Sequence, residues 1–320
     1  MIRSALGRSR VTVTALGFGG APVANLYSQV DDETARQTVD AAWDAGIRYF
    51  DTAPHYGLGL SERRLGQALA GRPREEYVIS TKVGRLLEPN PVPTGSDLAS
   101  GGFAVPDTFT RRRDYSRDGI MRSLEASLER LGLDRVDIVL IHDPEDHMTV
   151  ALSDAIPALI ELREQGVIGA VGAGMNLVEP LRRFVCETDV DLVLAAGRWT
   201  LVDQSAAPLL DDCLEREVGL VAAGVFNSGL LSVAAPADDA LFDYEPAPPD
   251  VLAAARACAA VCENHGATLP AAALQFPLRH PAISSVVVGM RSVEDCAADV
   301  AALTASLDER LWSELPAAVR

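Results

Sequence analysis

Asp51, Tyr56, Lys82 and His142 each stand at or just beyond the carboxyl end of a short apolar run. The first run leads into Asp51-Thr52-Ala53-Pro54-His55-Tyr56-Gly57, the second is Tyr77-Val78-Ile79-Ser80-Thr81-Lys82, and the third is Val136-Asp137-Ile138-Val139-Leu140-Ile141-His142. A phenol with an ordinary pKa of about 10 is a poor base at neutral pH, but a neighbouring ammonium favours its phenolate. Lys82 is placed to supply that charge, Asp51 to hold Lys82 protonated, and His142 to orient a reacting oxygen. The set suits proton transfer to or from a hydroxyl or carbonyl. Taken singly, Asp51 reads as a turn residue, Lys82 as a snorkelling strand end and His142 as a satisfied histidine beside Asp143-Pro144. Four such accidents at the same end of successive strands are a poorer explanation than one site. A different chemistry, a Schiff-base lyase with Lys82 as nucleophile, requires a lysine neutralised by burial, and the carboxylate of Asp51 argues against it.

These residues need a scaffold that gathers strand ends. Short β-branched runs at 12–17, 47–51, 77–82, 136–142, 168–173, 191–196, 219–225 and 284–288 alternate with segments of helical period, the pattern of repeated βα units. Helices are expected over 32–45, 61–71, 116–131, 151–165, 178–186, 207–217, 250–265, 270–279 and 293–303, with Asp32 and Ser61 as N-terminal caps of the first two. Eight strands apolar enough for burial on both faces predict an α/β fold, a closed (β/α)8 TIM barrel, over residues 1–320 as one domain. An open doubly wound sheet fits less well, because Gly17, Gly19 and Gly20 lack the G-x-G-x-x-G spacing and open no helix. Two Pro- and Asp-rich segments break the alternation. Residues 86–115 follow Lys82 and would overhang the barrel mouth, as a structureless insertion or a substrate lid; residues 233–249 follow the seventh strand and could cover a cofactor.

Composition excludes several classes. In 320 residues, 48% hydrophobic and 23% charged, there is ample material for a core, and a net charge of −17 would repel a phosphate backbone, so no nucleic-acid partner is expected. No run approaches the ~18 apolar residues of a membrane span, and Met1-Ile2-Arg3-Ser4 leads into no apolar signal core, so a cytoplasmic location is expected. The five cysteines, Cys186, Cys213, Cys258, Cys262 and Cys296, are scattered through helical segments. Cys258 and Cys262 lie one turn apart without a second ligand pair, so neither a disulfide framework nor a metal site is expected. Nothing in the composition specifies an oligomeric state.

The stretch from Asp51 to Gly57, followed by Ser61-Glu62 and Leu65-Gly66, resembles the signature of the aldo-keto reductases, as does Ser80-Thr81-Lys82-Val83-Gly84. The resemblance covers nearly the whole chain. It implies that Asp51, Tyr56, Lys82 and His142 are a catalytic tetrad for nicotinamide-dependent hydride transfer, with Tyr56 as acid or base. Asp114-Tyr115-Ser116, the run from Ser123 to Gly132, Gly174-Met175-Asn176, the run from Ala196 to Thr200 and the run from Phe226 to Leu231 resemble more closely a branch that oxidises aldoses at C1 or pyridoxal. An aldose of L-fucose or D-arabinose type, giving the lactone, is the leading substrate; pyridoxal oxidation and general aldehyde reduction are the alternatives within the family. A cofactor-binding regulatory subunit without turnover is the non-catalytic alternative, and the complete tetrad speaks against it.

The same resemblance would lay the cofactor's carboxamide near Met175 and Asn176, its pyrophosphate over Val225, Phe226, Asn227, Ser228 and Gly229, and its adenosine near Gly289, Met290, Arg291, Ser292 and Asp295. From the residues themselves, a glycine-bounded loop at 225–229 and a helix opening at Ser292 are reasonable phosphate contacts. Ala223 stands where many relatives stack an aromatic on the nicotinamide. Gly289 and Asp295 stand where NADP-preferring relatives carry a Lys and an Arg, so the expected cofactor is NAD rather than NADP. His55, Arg85, Arg198 and Trp199 are candidates for holding the sugar, along with Asn227.

Overall fold

Eight strands, each followed by helix, close into one parallel barrel in the computed structural model, which describes residues 1–320. In order around the barrel they are Leu16–Gly19, Tyr49–Asp51, Val78–Val83, Ile138–His142, Ala170–Met175, Leu192–Ala196, Gly219–Ala223 and Ile283–Gly289, and the last pairs with the first. The architecture is the expected (β/α)8 TIM barrel, and closure leaves no unpaired strand edge. Successive side chains on a strand face opposite sides, which divides the core in two. Tyr49, Ile138, Leu140, Leu192, Leu194, Val221 and Val287 fill the barrel interior. Phe50, Ile79, Val139, Ile141, Val171 and Val193 face outward into the layer of helices.

The first strand is not the 12–17 expected. Thr12–Thr14 pairs antiparallel with Arg3–Ala5 in a separate hairpin, and the barrel strand starts at Leu16. Leu6 and Val13 of that hairpin pack against the interior residues, so the apolar run before Leu16 closes the lower end of the barrel rather than building its wall. Capping differs from expectation by a residue or two. Asp31, not Asp32, caps Asp32–Asp44 by accepting from the N–H of Thr34 (2.8 Å). Ser61 caps nothing; its hydroxyl accepts from Thr52 Oγ1 (2.7 Å) and donates to the carbonyl of Gly20 (2.8 Å), which ties Leu60–Leu69 to two strand ends.

Residues 86–115 are an ordered arm. Arg85–Pro89 pairs antiparallel with Phe109–Arg113, and a helical turn, Leu98–Gly101, lies between them. Arg111 grips Asp97 with two hydrogen bonds (2.7 and 2.6 Å) and donates a third to the carbonyl of His55 (3.0 Å), which anchors the arm on the turn that carries Tyr56. Phe103 and Val105 pack with Ala24 and Leu58 beside Tyr56. In 233–249, Leu241–Phe242 and Glu245–Pro246 form a minimal hairpin turned by Asp243 and Tyr244, both in the left-handed region. No helix is long and apolar enough to cross a membrane.

Candidate active site

The strand alternation that packs the interior also selects what reaches the mouth. Tyr49 faces inward and so does Asp51 two residues on; Ser80 and Lys82 share a face, as do Ile138, Leu140 and His142. Asp51, Lys82 and His142 are therefore the last inward-facing positions of the second, third and fourth strands. They are almost fully enclosed, at 3%, 2% and 6% exposure. Tyr56 arrives from the turn after the second strand, where Gly57, Leu58 and Gly59 all have positive φ and bend the chain back over the mouth.

The ammonium of Lys82 is the hub. It donates to Asp51 Oδ2 (2.6 Å), the carbonyl of Thr52 (3.0 Å) and Tyr56 Oη (3.0 Å), which uses all three of its protons. Asp51 is held on its other oxygen by Ser80 Oγ (2.7 Å). Because Tyr56 accepts from Lys82, its own hydroxyl proton is free to point elsewhere. The ring of Tyr56 meets that of His142 edge-on at 5.9 Å between centroids, and His55 meets His142 at 5.7 Å.

Burial raises the Tyr56 pKa to about 12, and the opposing pull of Lys82 does not overcome it. The expected phenolate is thus not the resting form; the phenol is. Burial also pulls Lys82 down, but Asp51 and Tyr56 outweigh it and its pKa is raised, so the amine is charged and unsuited to Schiff-base attack at neutral pH. His142 is driven well below the ordinary histidine value by burial and by Arg85 and Lys82. His55 falls to about 2 through burial, Arg85 and Arg111. Both imidazoles are neutral and able to hydrogen-bond a substrate oxygen.

The two histidines predict a pH effect on stability. Each has a folded pKa below the unfolded value of about 6.5, so unfolding takes up protons once the pH falls below that value. Stability is full above pH ~6.5 and declines as the pH drops toward the folded values. Calorimetric melting is expected to show a lower Tm at pH 5 than at pH 7.5, and His55→Gln to flatten that decline. An equal decline in the variant would remove His55 from the account.

A glycine secures the backbone at His142. Gly84 has φ +99°, and a Cβ there would meet the ring of Tyr115 at 2.3 Å. Tyr115 uses that space to donate its hydroxyl to the carbonyl of His142 (2.7 Å), with the carbonyl of Asp143 at 2.9 Å. The Val83-Gly84 and Asp114-Tyr115-Ser116 motifs are thereby two halves of one contact.

The remaining sequence candidates distribute unevenly. Arg85 lies at the mouth, ion-paired with Asp143. Arg198 donates to the carbonyl of Asn176 (2.8 Å) and pairs with Asp203 (3.1 Å) and Asp243 (2.8 Å), so it ties three loops together. Trp199 packs on Phe276 and His280, each 5.5 Å away between ring centroids, rather than on the four central residues. Val225, Met175 and Met290 are buried in the core, so only their backbones are available to a ligand. Asn176, Ser228 and Gly289 are exposed, whereas Asn227 is buried and Phe226 and Arg291 are half-buried.

The loop at 225–229 fits an anion. Asn227, Ser228 and Gly229 have consecutive positive φ values of 43°, 58° and 93°, and the N–H groups of Phe226 and Ser228 make no hydrogen bond within the chain. Asn227 Oδ1 is buried without a partner while its Nδ2 donates to the carbonyl of Gly197 (3.2 Å). The unpaired N–H donors suit an anion such as a phosphate, and the unpaired Asn227 Oδ1 suits a donor group beside it. At the eighth strand end, Ser292 Oγ accepts from the N–H of Asp295 (3.1 Å), while Asp295 Oδ2 accepts from the N–H of Arg291 (3.0 Å). This reciprocal cap fixes a carboxylate at the start of Val293–Thr304. Sequence reasoning missed Asp97, Phe103, Arg111, Asp143 and Asp243. All lie on connections whose partners are distant in the chain; only Asp143, adjacent to His142, carried a local signal.

Residues 15–320 match the aldo/keto reductase family. The chain is 46% identical over 309 residues to a D-threo-aldose 1-dehydrogenase of a Pseudomonas species, covering 95% of this chain and 94% of the relative. It is 40% identical over 335 residues to a pyridoxal 4-dehydrogenase of Microbacterium luteolum, covering 98% and 96%. Among solved structures it resembles the holo form of an aldo-keto reductase of Bacillus halodurans, with a TM-score of 0.78, 25% identity and coverage of 100% and 98%. With this match along nearly its whole length, on a closed barrel of the same kind, the chain belongs to the aldo/keto reductase family of NAD(P)-dependent oxidoreductases acting on CH–OH donors.

Proposed function

We propose that this protein oxidises a cyclic aldose of L-fucose or D-arabinose type at C1 and passes the hydride to NAD, yielding the lactone. The observation that carries the chemistry is the chain of contacts from Asp51 through Lys82 to Tyr56, at 2.6 and 3.0 Å. Tyr56 takes the proton of the anomeric hydroxyl, Lys82 stabilises the phenolate that accepts it, Asp51 keeps Lys82 charged and in place, and neutral His142 orients the hydroxyl. NAD, when bound, supplies the hydride acceptor at nicotinamide C4. Asn176, the loop from Val225 to Gly229 and the stretch from Gly289 to Ser292 would hold it. The aldose assignment leans on the 46% identity to a D-threo-aldose 1-dehydrogenase and on the charged residues at the mouth.

The capped carboxylate of Asp295 supports NAD, since negative charge at that helix start disfavours a 2′-phosphate. L-fucose, D-arabinose and pyridoxal, each offered with NAD and with NADP, are expected to show reduced-nicotinamide absorbance with the aldoses and a kcat/KM favouring NAD. A tenfold or greater preference for NADP would overturn the charge argument. Turnover of pyridoxal alone, or of plain aldehydes with NADPH alone, would displace the aldose.

A further inference from the structure

Asp143 directly follows His142 and is used by none of the steps above. Its N–H donates to the carbonyl of Gly174 (3.1 Å), so the sheet ladder runs through it, yet its φ is +43°. A left-handed conformation is uncommon outside glycine, though Asp and Asn tolerate it best. The consequence is that the carboxylate turns back over the mouth, with Oδ2 3.5 Å from His142 Nε2 and ion-paired with Arg85. The side chain of Asp143 is 29% exposed and that of Arg85 12%, so the carboxylate is the accessible half of the pair. Oδ1 accepts no hydrogen bond from the chain, and Arg85 Nη1 donates none.

An open carboxylate oxygen next to a guanidinium with a free donor is the complement of a ring hydroxyl, which donates and accepts at once. We propose that Asp143, backed by Arg85, hydrogen-bonds a substrate ring hydroxyl close to the reacting carbon, on C2 or C3, and thereby selects polyhydroxylated substrates over plain carbonyl compounds. This inference rests on the aldose reading. Asp143 is a specificity residue in it, not a proton-transfer group. A site built to bind a hydroxyl discriminates against the analogue that lacks it, because the polar partner is left unmatched once the substrate has covered it.

The test compares kcat/KM for the aldose, its 2-deoxy and 3-deoxy analogues, and a hydroxyl-free aldehyde reduced with NADH, in the wild type and in Asp143→Asn and Asp143→Gly. Both replacements are residues that accept positive φ. The wild type is expected to lose tenfold or more on one deoxy analogue, a comparison that needs no variant. Both variants are expected to lose tenfold or more on the parent aldose, to lose little further on that analogue, and to reduce the plain aldehyde within about threefold of wild type. Equal losses on every substrate would assign Asp143 to holding His142 and overturn the proposal, as would a wild type indifferent to both deoxy analogues. A wild type that oxidises no aldose would fail the underlying reading first, and this one with it.

Discussion

Tyr56→Phe is expected to lower kcat for aldose oxidation by about 10²-fold or more while Tm and the Kd for NAD stay nearly unchanged. The ring remains to pack on Phe103 and His142, so only the hydroxyl that contacts Lys82 is lost. With the phenol raised to about 12, oxidation in the wild type needs a deprotonated group that is scarce at neutral pH. The oxidation rate should therefore climb with pH through the alkaline range while the reverse reduction does not, and the variant should lose that climb. Stopped-flow or steady-state absorbance of NADH across pH 7 to 10 reads both. Unchanged turnover, or an unchanged pH profile, would remove Tyr56 from proton transfer.

Lys82→Met should damage both activity and stability, for different reasons. It leaves the phenol without its cation and the carboxylate of Asp51, 3% exposed, without its counter-charge. Removing one partner of such a buried pair costs about 3–5 kcal/mol, because the remaining charge stays desolvated. The Lys82 pKa is raised in the folded state, so the pair stabilises fully below the unfolded lysine value of about 10.5 and loses that contribution only as the pH rises through the higher folded value. The double variant Asp51→Asn/Lys82→Met is expected to recover much of the lost stability in denaturant melts and none of the activity. Recovery of activity in the double variant would mean that Lys82 serves only to neutralise Asp51.

Much of this protein is legible in the linear chain for identifiable reasons. Strands buried on both faces must be apolar, and helices between them must carry a one-sided stripe, so the repeating βα unit and its eightfold count stand out by period alone. The four candidate residues stand out because parallel barrels present side chains to ligands at strand ends, and a carboxylate, an amine and an imidazole at those ends break the apolar pattern. The 12–17 run misled because a plug at the base of the barrel needs the same apolar side chains as its wall. The arm at 85–113 was hidden because its strands are charged and flank a Pro- and Gly-rich stretch, and they gain order from Arg111 gripping Asp97 and the backbone of His55.

What the linear chain carries, then, is the candidate reacting groups and the kind of barrel that presents them, since both follow from local pattern. Their protonation states and neighbours follow from packing. Burial, a property of all the surrounding elements, makes Tyr56 a phenol where an adjacent lysine alone argued for a phenolate. The pairing of Arg85 with Asp143, 58 residues apart, sets a charged wall beside His142 that no spacing in the sequence announces. Contacts between distant segments and the dielectric around them exist only once the barrel has closed.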